Sequence, residues 1–326
     1  MPAHAMPLDE VLIIIALGAY VTGALALLGY FFLREEWLKH LGVPLAVAGC
    51  VAQFAQLIAR YQITHVWPLL NLYGSLSLFA AMSVAIFAVF AWRYKLWFAG
   101  GFVLAIAAIF LAYGVTWNEG TMPAVPSLQS YWAKIHVPLV VSSYSAFMIA
   151  FVLSALYLVK YYFERSLGTR ANARAAALTT PEGATFFSSA NVQIGKPLVQ
   201  KDTPATAVAA AEGNTVAQWF YLLPSLAQLD VMTYRVVAVG LPLLTIGIIT
   251  GAMWAHEAWG AYWQWDPKET AALFSWITYA IYMHLHTRNA WRGMRSSWVS
   301  VAGFVTIIFC YLGVNIFISG LHSYKM

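Results

Sequence analysis

Long apolar runs separated by short polar breaks form the main pattern of this chain. A run of about 20 apolar residues is long enough to cross a bilayer. Open sheet edges and irregular chain cannot face lipid, so such runs must be helical. The pattern therefore predicts an all-α protein, a polytopic membrane helix bundle with about eight transmembrane helices. Their approximate bounds are 10–33, 42–60, 71–92, 96–115, 137–162, 234–255, 270–287 and 298–319.

Composition agrees with this interpretation. Of the 326 residues, 61% are hydrophobic and only 10% are charged, and the mean hydropathy is +0.68. The apolar composition predicts a lipid membrane as partner. The net charge of +5 does not indicate nucleic acid, because the basic residues are scattered over the breaks, where they mark the topology. No small-residue cleavage site follows the first span, which we expect to be retained. Cys50 and Cys310 lie inside apolar runs and are expected to be buried thiols, with a disulfide left open.

Lysines and arginines in the breaks predict the orientation of the spans. Cytoplasmic loops of membrane proteins carry an excess of these residues. If the N-terminus is outside, only four of the 18 lysines and arginines lie on the outer side, namely Arg60, Lys134, Lys268 and Lys325. We therefore expect both termini on the outer side, which is periplasmic or lumenal.

The polar breaks divide the chain into three parts. Residues 1–162 hold the first five spans, and residues 234–326 hold the last three. Residues 163–233 are rich in Ala, Thr, Pro and Gly, which favours a cytoplasmic loop that is mostly mobile. Near its end, residues 219–223 are typical of an interfacial helix or of a plain linker.

Four tryptophans fall within twelve residues between the sixth and seventh spans. Trp254, Trp259, Trp263 and Trp265 belong to the segment 254–270, which we expect to form a short loop at the outer face. Indole rings near histidines are chemically suited to a large, flat, partly apolar ligand such as a porphyrin. A membrane-interface belt is the alternative explanation, since Trp and Tyr collect at both interfaces.

A turn with two carboxylates follows the tryptophans. Its order is Asp266, Pro267, Lys268 and Glu269. Asp266 suits the N-cap of the seventh helix, Pro267 its first position and Glu269 the third, which together form a capping box. We therefore predict a capping role rather than acid–base chemistry. Lys268 is a candidate contact for an anionic group such as a haem propionate.

Two histidines mark the ends of spans on the same expected face. His136 begins the fifth span and His322 ends the eighth, so they bracket the tryptophan segment in sequence. Neutral imidazoles on opposite sides of a porphyrin plane are axial ligands that haem iron accepts. The pattern therefore indicates a haem site. The alternative is that each histidine lies at the wet boundary of its helix.

Two further histidines lie in the seventh span. His284 and His286 are two residues apart and point to nearly opposite sides of a helix, so one of them faces a given site. His286 is about 28 Å along the helix from Pro267, near the inner face. An ionisable group within a span is a functional candidate. Capping of the helix end beside Arg288 is the alternative.

The segment Trp259–Thr270 resembles the tryptophan-rich signature of haem-handling membrane proteins. The chain looks most similar to the CcsA type of cytochrome c biogenesis protein, from the system II pathway. The resemblance spans most of the chain apart from the long inner loop. It continues in Pro68–Ser75, His136–Pro138 with Ser143 and Tyr144, Leu285–Arg288, and Gly313–Asn315 through Gly320–Ser323.

The resemblance implies a role in cytochrome c assembly. Members bind haem b as a substrate and present it at the outer membrane face for covalent thioether attachment to apocytochrome c. Carried onto this chain, His136 and His322 would ligate the iron at the outer site, and His286 at a membrane site. The other residues implied in cofactor binding are Trp254, Trp259, Trp263, Trp265 and Asp266.

The resemblance also implies a ResB/CcsB-type partner membrane protein, because the ligand opposite His286 belongs to a separate subunit. The chain would then be a subunit of a cytochrome c synthase, or haem lyase, complex. Its membrane would be the bacterial cytoplasmic (inner) membrane, or alternatively the thylakoid membrane. The chain has no Cys-x-x-Cys-His motif, so it is not itself a c-type cytochrome.

Three positions depart from the family pattern. Gly74 stands where glutamate is common, Ala271 stands where tryptophan is common, and His256 is unusual and could compete as a ligand. Other functions compatible with the sequence are a haem exporter or chaperone that hands haem on without ligation, a b-type electron carrier, and an unrelated transporter. Eight spans favour the synthase subunit over the exporter, and His286 lacks the clear internal mate that an electron carrier needs.

Overall fold

The computed structural model describes residues 6–69, 71–118, 126–178 and 223–317, and within these ranges the secondary structure is entirely helical. The prediction of an all-α membrane bundle is confirmed. A π-helical turn, Phe309–Gly313, carries the last helix on into Val314–Phe317. The eight long helices are α1 (Leu8–Leu33), α2 (Glu36–Thr64), α3 (Leu72–Tyr94), α4 (Gly100–Val115), α5 (Tyr131–Leu178), α6 (Leu226–Trp259), α7 (Pro267–His286) and α8 (Met294–Ile308).

Seven of these helices are long and apolar enough to cross a membrane within the described ranges. The exception is α7, which the sequence predicts as the seventh span. It is a helix of 20 residues, but it begins with Pro-Lys-Glu-Thr and ends with two histidines, which lowers its mean hydropathy.

Two helix ends differ from the expected spans. Helix α5 runs to Leu178, beyond the expected end at residue 162, and its last turns are rich in alanine, the best helix former. Helix α6 begins at Leu226 rather than near residue 234, because Ser225 and Gln228 form a capping box there. Residues 179–222, which hold most of the expected mobile loop and of the 219–223 segment, lie outside the described ranges.

Close packing of α5 on α6 depends on glycine. A Cβ atom added at Gly240, Gly247 or Gly251 would lie within 2.8 Å of a side-chain atom on α5. The α5 residues at these three positions are Phe147, Val140 and His136. Burying apolar surface does not drive helix association in a bilayer, because lipid tails are equally apolar. Small residues instead let the helices approach closely enough for van der Waals packing.

The α2–α3 connection depends on glycine at position 74, where the family resemblance leads us to expect glutamate. The Gly74 N–H donates to the Asn71 side chain at 2.8 Å, which caps α3. A Cβ at Gly74 would lie 1.5 Å from the carbonyl oxygen of Pro68. Any side chain at position 74 therefore requires residue 68 to take a different path.

Polar contacts define one end of the bundle, which we call the tryptophan end. Arg60 at the end of α2 forms an ion pair with Asp9 of α1 at 3.1 Å and donates to Asn118 after α4 at 2.9 Å. Its guanidinium also lies 4.3 Å from the centre of the Tyr73 ring on α3. The beginnings of α1 and α3 therefore lie beside the ends of α2 and α4.

The opposite end, which we call the aspartate end, joins the start of α6 to α5, α7 and α8. Asp230 of α6 contacts His286 at the end of α7 and Ser296 at the start of α8. Lys160 of α5, which is 4% exposed, donates to the carbonyls of Leu223 and Pro224 at 3.0 Å each. The buried ammonium thus holds the chain that enters α6.

Candidate functional site

His136 lies at the tryptophan end, with its ring placed against α6. The Nδ1 atom is 2.7 Å from the carbonyl oxygen of Gly247. A Cβ at Gly251 would lie 2.7 Å from both Nδ1 and Cε1 of the ring. The ring can therefore lie this close to α6 only because residue 251 is glycine.

This contact determines the tautomer of His136. A carbonyl oxygen only accepts, so Nδ1 must donate and carries the proton of the neutral ring. Nε2 is then the nitrogen that carries the lone pair needed by a metal. A backbone carbonyl is a common second partner of metal-binding histidines, because it fixes the ring and its tautomer.

An aromatic cluster lies on one side of this histidine, which it meets through Trp254. The Trp254 ring lies 5.8 Å from the His136 ring and 5.1 Å from the Trp259 ring. Both indoles pack with Trp67 and Trp132 around buried Ala133. The Trp67 Nε1 atom is buried and has no hydrogen-bond partner among the described residues. An indole N–H without a partner in such a cluster can donate a hydrogen bond to an acceptor on a bound ligand, such as a carboxylate.

The tryptophan loop is shorter than the expected segment 254–270. Helix α6 continues through Trp254 to Trp259 and ends because Gly260 adopts a left-handed conformation with φ of 79°. Only residues 260–266 connect it to α7. Trp263 and Trp265 lie in this connection with their rings edge to face at 5.7 Å, and Trp265 is 69% exposed.

His256 lies on the last turns of α6, and its exposed ring stacks on Tyr262 at 4.2 Å. This stacking gives His256 an aromatic partner in the connection to α7.

Asp266 is the N-cap of α7, as the sequence predicts. Its carboxylate accepts from the Lys268 N–H at 2.9 Å, and the Asp266 N–H donates to Glu269 at 3.3 Å. Glu269 also accepts from the Gln264 N–H at 2.9 Å. Both carboxylates are engaged by backbone donors, which holds the connection rigidly against α7.

Lys268 links α7 to the end of α8. Its ammonium donates to the Asn315 side chain at 2.9 Å, just after the π-helical turn. Buried Cys310 within that turn lies 3.3 Å from the Tyr144 hydroxyl, and both cysteines of the chain are free thiols. His322 lies outside the described residues, so the outer pair expected from the sequence is described only for His136.

His286 lies at the aspartate end and is buried. Its Nε2 atom is 3.0 Å from the Asp230 carboxylate. The ring stacks on Tyr234 at 4.6 Å and on Tyr282 at 5.7 Å. His284, two residues earlier, is exposed. Helical geometry therefore separates the two histidines as expected, and His286 is the one that faces the protein.

Asp230 is a site residue that the sequence pattern did not predict. The acid precedes the apolar run at 234, which placed it in the loop, whereas the α6 capping box begins the helix earlier. The available signal was its position: Asp230 and Arg235 are the last charged residues before an uncharged run of more than 20 residues that ends at Glu257. No group of three or more His, Cys, Asp or Glu residues suited to a metal ion occurs in the described ranges. A haem site does not need such a group, because the protein supplies only the axial ligands of a haem iron.

Comparison with known proteins identifies the class. The sequence profile of the family described as "Cytochrome C assembly protein" matches residues 69–322, which is most of the chain. The chain therefore belongs to this family of cytochrome c assembly proteins.

Relatives identify the type within the family. The chain is 33% identical to the cytochrome c biogenesis protein CcsA of Gloeobacter violaceus, over 93% of this chain and 92% of the relative. It is 34% identical to CcsA of Guillardia theta, over 91% and 89% of the two chains. It is 35% identical to CcsA of Nostoc punctiforme, over 91% of each. The CcsA-type resemblance of the sequence is confirmed.

A solved structure shares the fold. The protein titled "Cytochrome c Heme Lyase CcmF" superposes with a TM-score of 0.58 and 16% identity, over 96% of this chain and 48% of that chain. The present chain thus spans about half the length of that protein. At this identity the likeness concerns the fold alone, and it supports the helical bundle.

Proposed function

We propose that this protein binds haem b and presents it at the outer membrane face for covalent attachment to apocytochrome c. Family membership supports a role in cytochrome c assembly and haem handling. The observation that carries the proposal is the geometry of His136. Its Nδ1 donates to a backbone carbonyl beside the Trp254 ring, so Nε2 is the nitrogen that carries the lone pair an iron requires.

At the proposed outer site, His136 and His322 are the axial ligands. Trp254 and Trp259 pack beside His136, and Trp263 and Trp265 lie in the connection that follows. Indole rings contact a porphyrin through apolar surface and can donate an N–H to its carboxylates. Asp266 acts indirectly, because its cap fixes the connection on which Trp263 and Trp265 lie.

At the proposed membrane site, His286 is the ligand from this chain. A ResB/CcsB-type partner subunit supplies the opposite ligand, which makes the complex a cytochrome c synthase. The buried position of His286 within the bundle supports a functional role, as does the buried hydroxyl of Tyr282 beside it, which has no hydrogen-bond partner in the described part of the chain. This site lies at the other end of the bundle from His136, so the proposal gives the protein two haem-binding sites.

The ligation step requires positioning more than acid–base catalysis. Each cysteine thiol of the apocytochrome adds its S–H across one haem vinyl group, so an S–C bond and a C–H bond form and no external oxidant or reductant is consumed. Holding both reactants in place converts this into an effectively intramolecular reaction. The residues of this chain hold and orient the haem, which is why no general acid or base is assigned.

The tryptophan end faces the outer side in this proposal. The excess of lysine and arginine in the other breaks supports that orientation. The host is the bacterial cytoplasmic membrane or a thylakoid membrane, and the cyanobacterial relatives are compatible with both.

The test is the absorption spectrum of the complex purified with its partner, compared with the His136→Ala and His286→Ala variants. We expect a low-spin haem spectrum that loses intensity in each variant. His284→Ala is the matched control for His286→Ala, because its exposed ring lies two residues away on the same helix. His256→Ala is the comparison at the tryptophan end, where it tests whether this exposed histidine, which stacks on Tyr262, competes as a ligand. Controls that lose haem as strongly as the candidates would overturn the ligand assignment.

A colourless wild-type complex from haem-replete cells would overturn the haem-handling proposal and favour an unrelated transporter. A haem-loaded complex that transfers haem to an acceptor but forms no thioether bond with apocytochrome would favour the exporter function instead.

A further inference from the structure

A cavity opens at the start of α2, away from both candidate haem sites. Helix α2 ends at the tryptophan end, so it begins at the aspartate end, where the guanidinium of Arg235 on α6 lies 4.8 Å from the ring centre of Tyr94 on α3. The cavity measures about 250 Å³ and is lined by Lys39, His40, Val43, Pro44 and Trp97. Pockets for drug-sized ligands measure about 300–1,000 Å³, so this cavity suits one end of a long molecule rather than a whole cofactor.

Positive charge lies around this cavity. The Lys39 ammonium forms an ion pair with Glu36 at the start of α2 and lies 5.4 Å from the centre of the Tyr30 ring on α1. His40, the next residue, is exposed. Three further cations lie at the ends of α1 and α3, namely Arg34, Arg93 and Lys95. An anionic group therefore finds favourable charge at this corner of the bundle.

An apolar path leads from the cavity along α2. Pro44, Val47 and Val51 are exposed and lie on one side of the helix at spacings of three and four residues, and we call them the α2 stripe. Helix α2 is apolar enough to cross a membrane, so the α2 stripe can contact lipid tails. Trp97, in the short helical turn before α4, is held edge to face against Phe87 at 6.1 Å. Tryptophan collects at the level of lipid headgroups.

We propose that this cavity binds the headgroup of an anionic phospholipid, with Lys39 and His40 beside the phosphate, Trp97 at the headgroup level and an acyl chain along the α2 stripe. The aspartate end faces the cytoplasm in the proposed orientation, and the cytoplasmic leaflet carries the anionic lipids. Basic pockets between membrane helices on that side are known to hold lipid headgroups. The inference does not depend on haem binding at either histidine.

The first experiment measures lipid binding to the full chain in detergent by native mass spectrometry. Phosphatidylglycerol is compared with phosphatidylcholine of the same acyl chains, which keeps the phosphate but carries no net charge. Lys39→Gln removes the ammonium from the cavity. Lys95→Gln is the matched control, because it removes the same charge from an exposed residue at the same end, outside the cavity lining. Glu36→Gln keeps the Lys39 ammonium and removes its ion-pair partner.

We expect Lys39→Gln to weaken phosphatidylglycerol binding about fivefold, the usual contribution of one basic residue near a membrane surface. Lys95→Gln should bind it as the parent does, and Glu36→Gln should bind it more tightly, because the ammonium no longer shares its charge with a carboxylate. Equal losses in the two lysine variants, or equal binding of both lipids by the parent, would overturn the inference. Weaker binding in Glu36→Gln would do the same, since the ion pair rather than the ammonium would then matter.

A second experiment leaves every charge in place. Val43→Phe fills the cavity, whereas Val89→Phe adds the same atoms to an exposed position on α3. We expect the preference for phosphatidylglycerol over phosphatidylcholine to be lost in Val43→Phe and kept in Val89→Phe. Inorganic phosphate at the same concentration as the lipid should not displace it from the parent chain, because phosphate has no acyl chain. A preference that survives Val43→Phe, or displacement by phosphate, would refute the lipid assignment.

Discussion

The two candidate histidines differ in the group that holds the imidazole. At the tryptophan end, half-buried His136 contacts the carbonyl of Gly247, a neutral backbone acceptor. At the aspartate end, buried His286 contacts the Asp230 carboxylate, which α8 holds in place. A carboxylate polarises an imidazole more strongly than a carbonyl does, and burial strengthens the contact.

If both histidines hold haem as proposed, this difference matches the tasks of the two sites. The outer site has to release haem once the product leaves, for which a weakly polarised, half-buried ligand is suitable. The membrane site has to retain haem until transfer, for which a buried imidazole held by a carboxylate is suitable. The second partner and the burial of each histidine would then set how tightly the chain holds the iron at each site.

The largest effect on stability is expected from Asp230→Ala, which removes the acceptor at the aspartate end. His286 and the Gly293 N–H then lose this acceptor, whereas the Ser296 hydroxyl keeps its bond to the Gly293 carbonyl, and each buried donor left unsatisfied costs about 1–3 kcal/mol. The melting temperature of the solubilised protein, followed by size-exclusion chromatography, should fall much further than for Ser296→Ala. Similar shifts for both would show that the carboxylate–imidazole contact contributes little.

The corresponding change at the tryptophan end is Gly251→Ala, because the Gly247 carbonyl cannot be removed by substitution. The added methyl group overlaps the His136 ring and should displace it, at a cost of about 1–3 kcal/mol, which corresponds to a loss of about 5- to 150-fold in outer-site haem affinity. Haem binding by a His286→Ala complex, which isolates the outer site, measures this loss. Gly240→Ala is the control, since its methyl group meets Phe147 in the core instead. Equal loss in the control would refute a specific role for Gly251.

Lys160→Met tests whether the two ends of the bundle behave independently, because α5 carries His136 near its start and Lys160 at the aspartate end. The carbonyls of Leu223 and Pro224 lose their buried donor, which costs about 1–3 kcal/mol. We expect faster proteolysis next to Ser225 and an unchanged outer-site spectrum. Glu164→Gln should have little effect, since its carboxylate is 3.6 Å from the ammonium and partly exposed. Loss of the outer spectrum would show that the ends are coupled.

The smallest effect is expected from Asp266→Ala, which removes the cap of α7. Loss of an N-cap costs about 1 kcal/mol, and it should broaden the outer-site haem spectrum while leaving the membrane-site spectrum unchanged. Asp266→Asn keeps a good capping residue and should resemble the parent. If the asparagine variant loses outer-site haem as the alanine variant does, the charge of Asp266 matters beyond capping.

Local features of this protein could be predicted from the sequence, whereas contacts between distant segments could not. The helices follow from apolar runs, and the Asp266 capping box follows from residues three apart. The His286–Asp230 contact joins residues 56 apart, and no periodicity reveals such a pairing. The role of Gly251 depends on the ring of His136 across the α5–α6 contact, which only the packed helices show.

The π-helical turn Phe309–Gly313 divides the last helix into two segments of different angular phase. A π turn holds one residue more than an α turn, so the residues after it are rotated by about 100° relative to an uninterrupted helix. Asn315 follows the turn and meets Lys268 in this rotated phase. Removing one residue from the turn would therefore leave the core segment in place while pointing Asn315, and the chain that continues from it, away from α7.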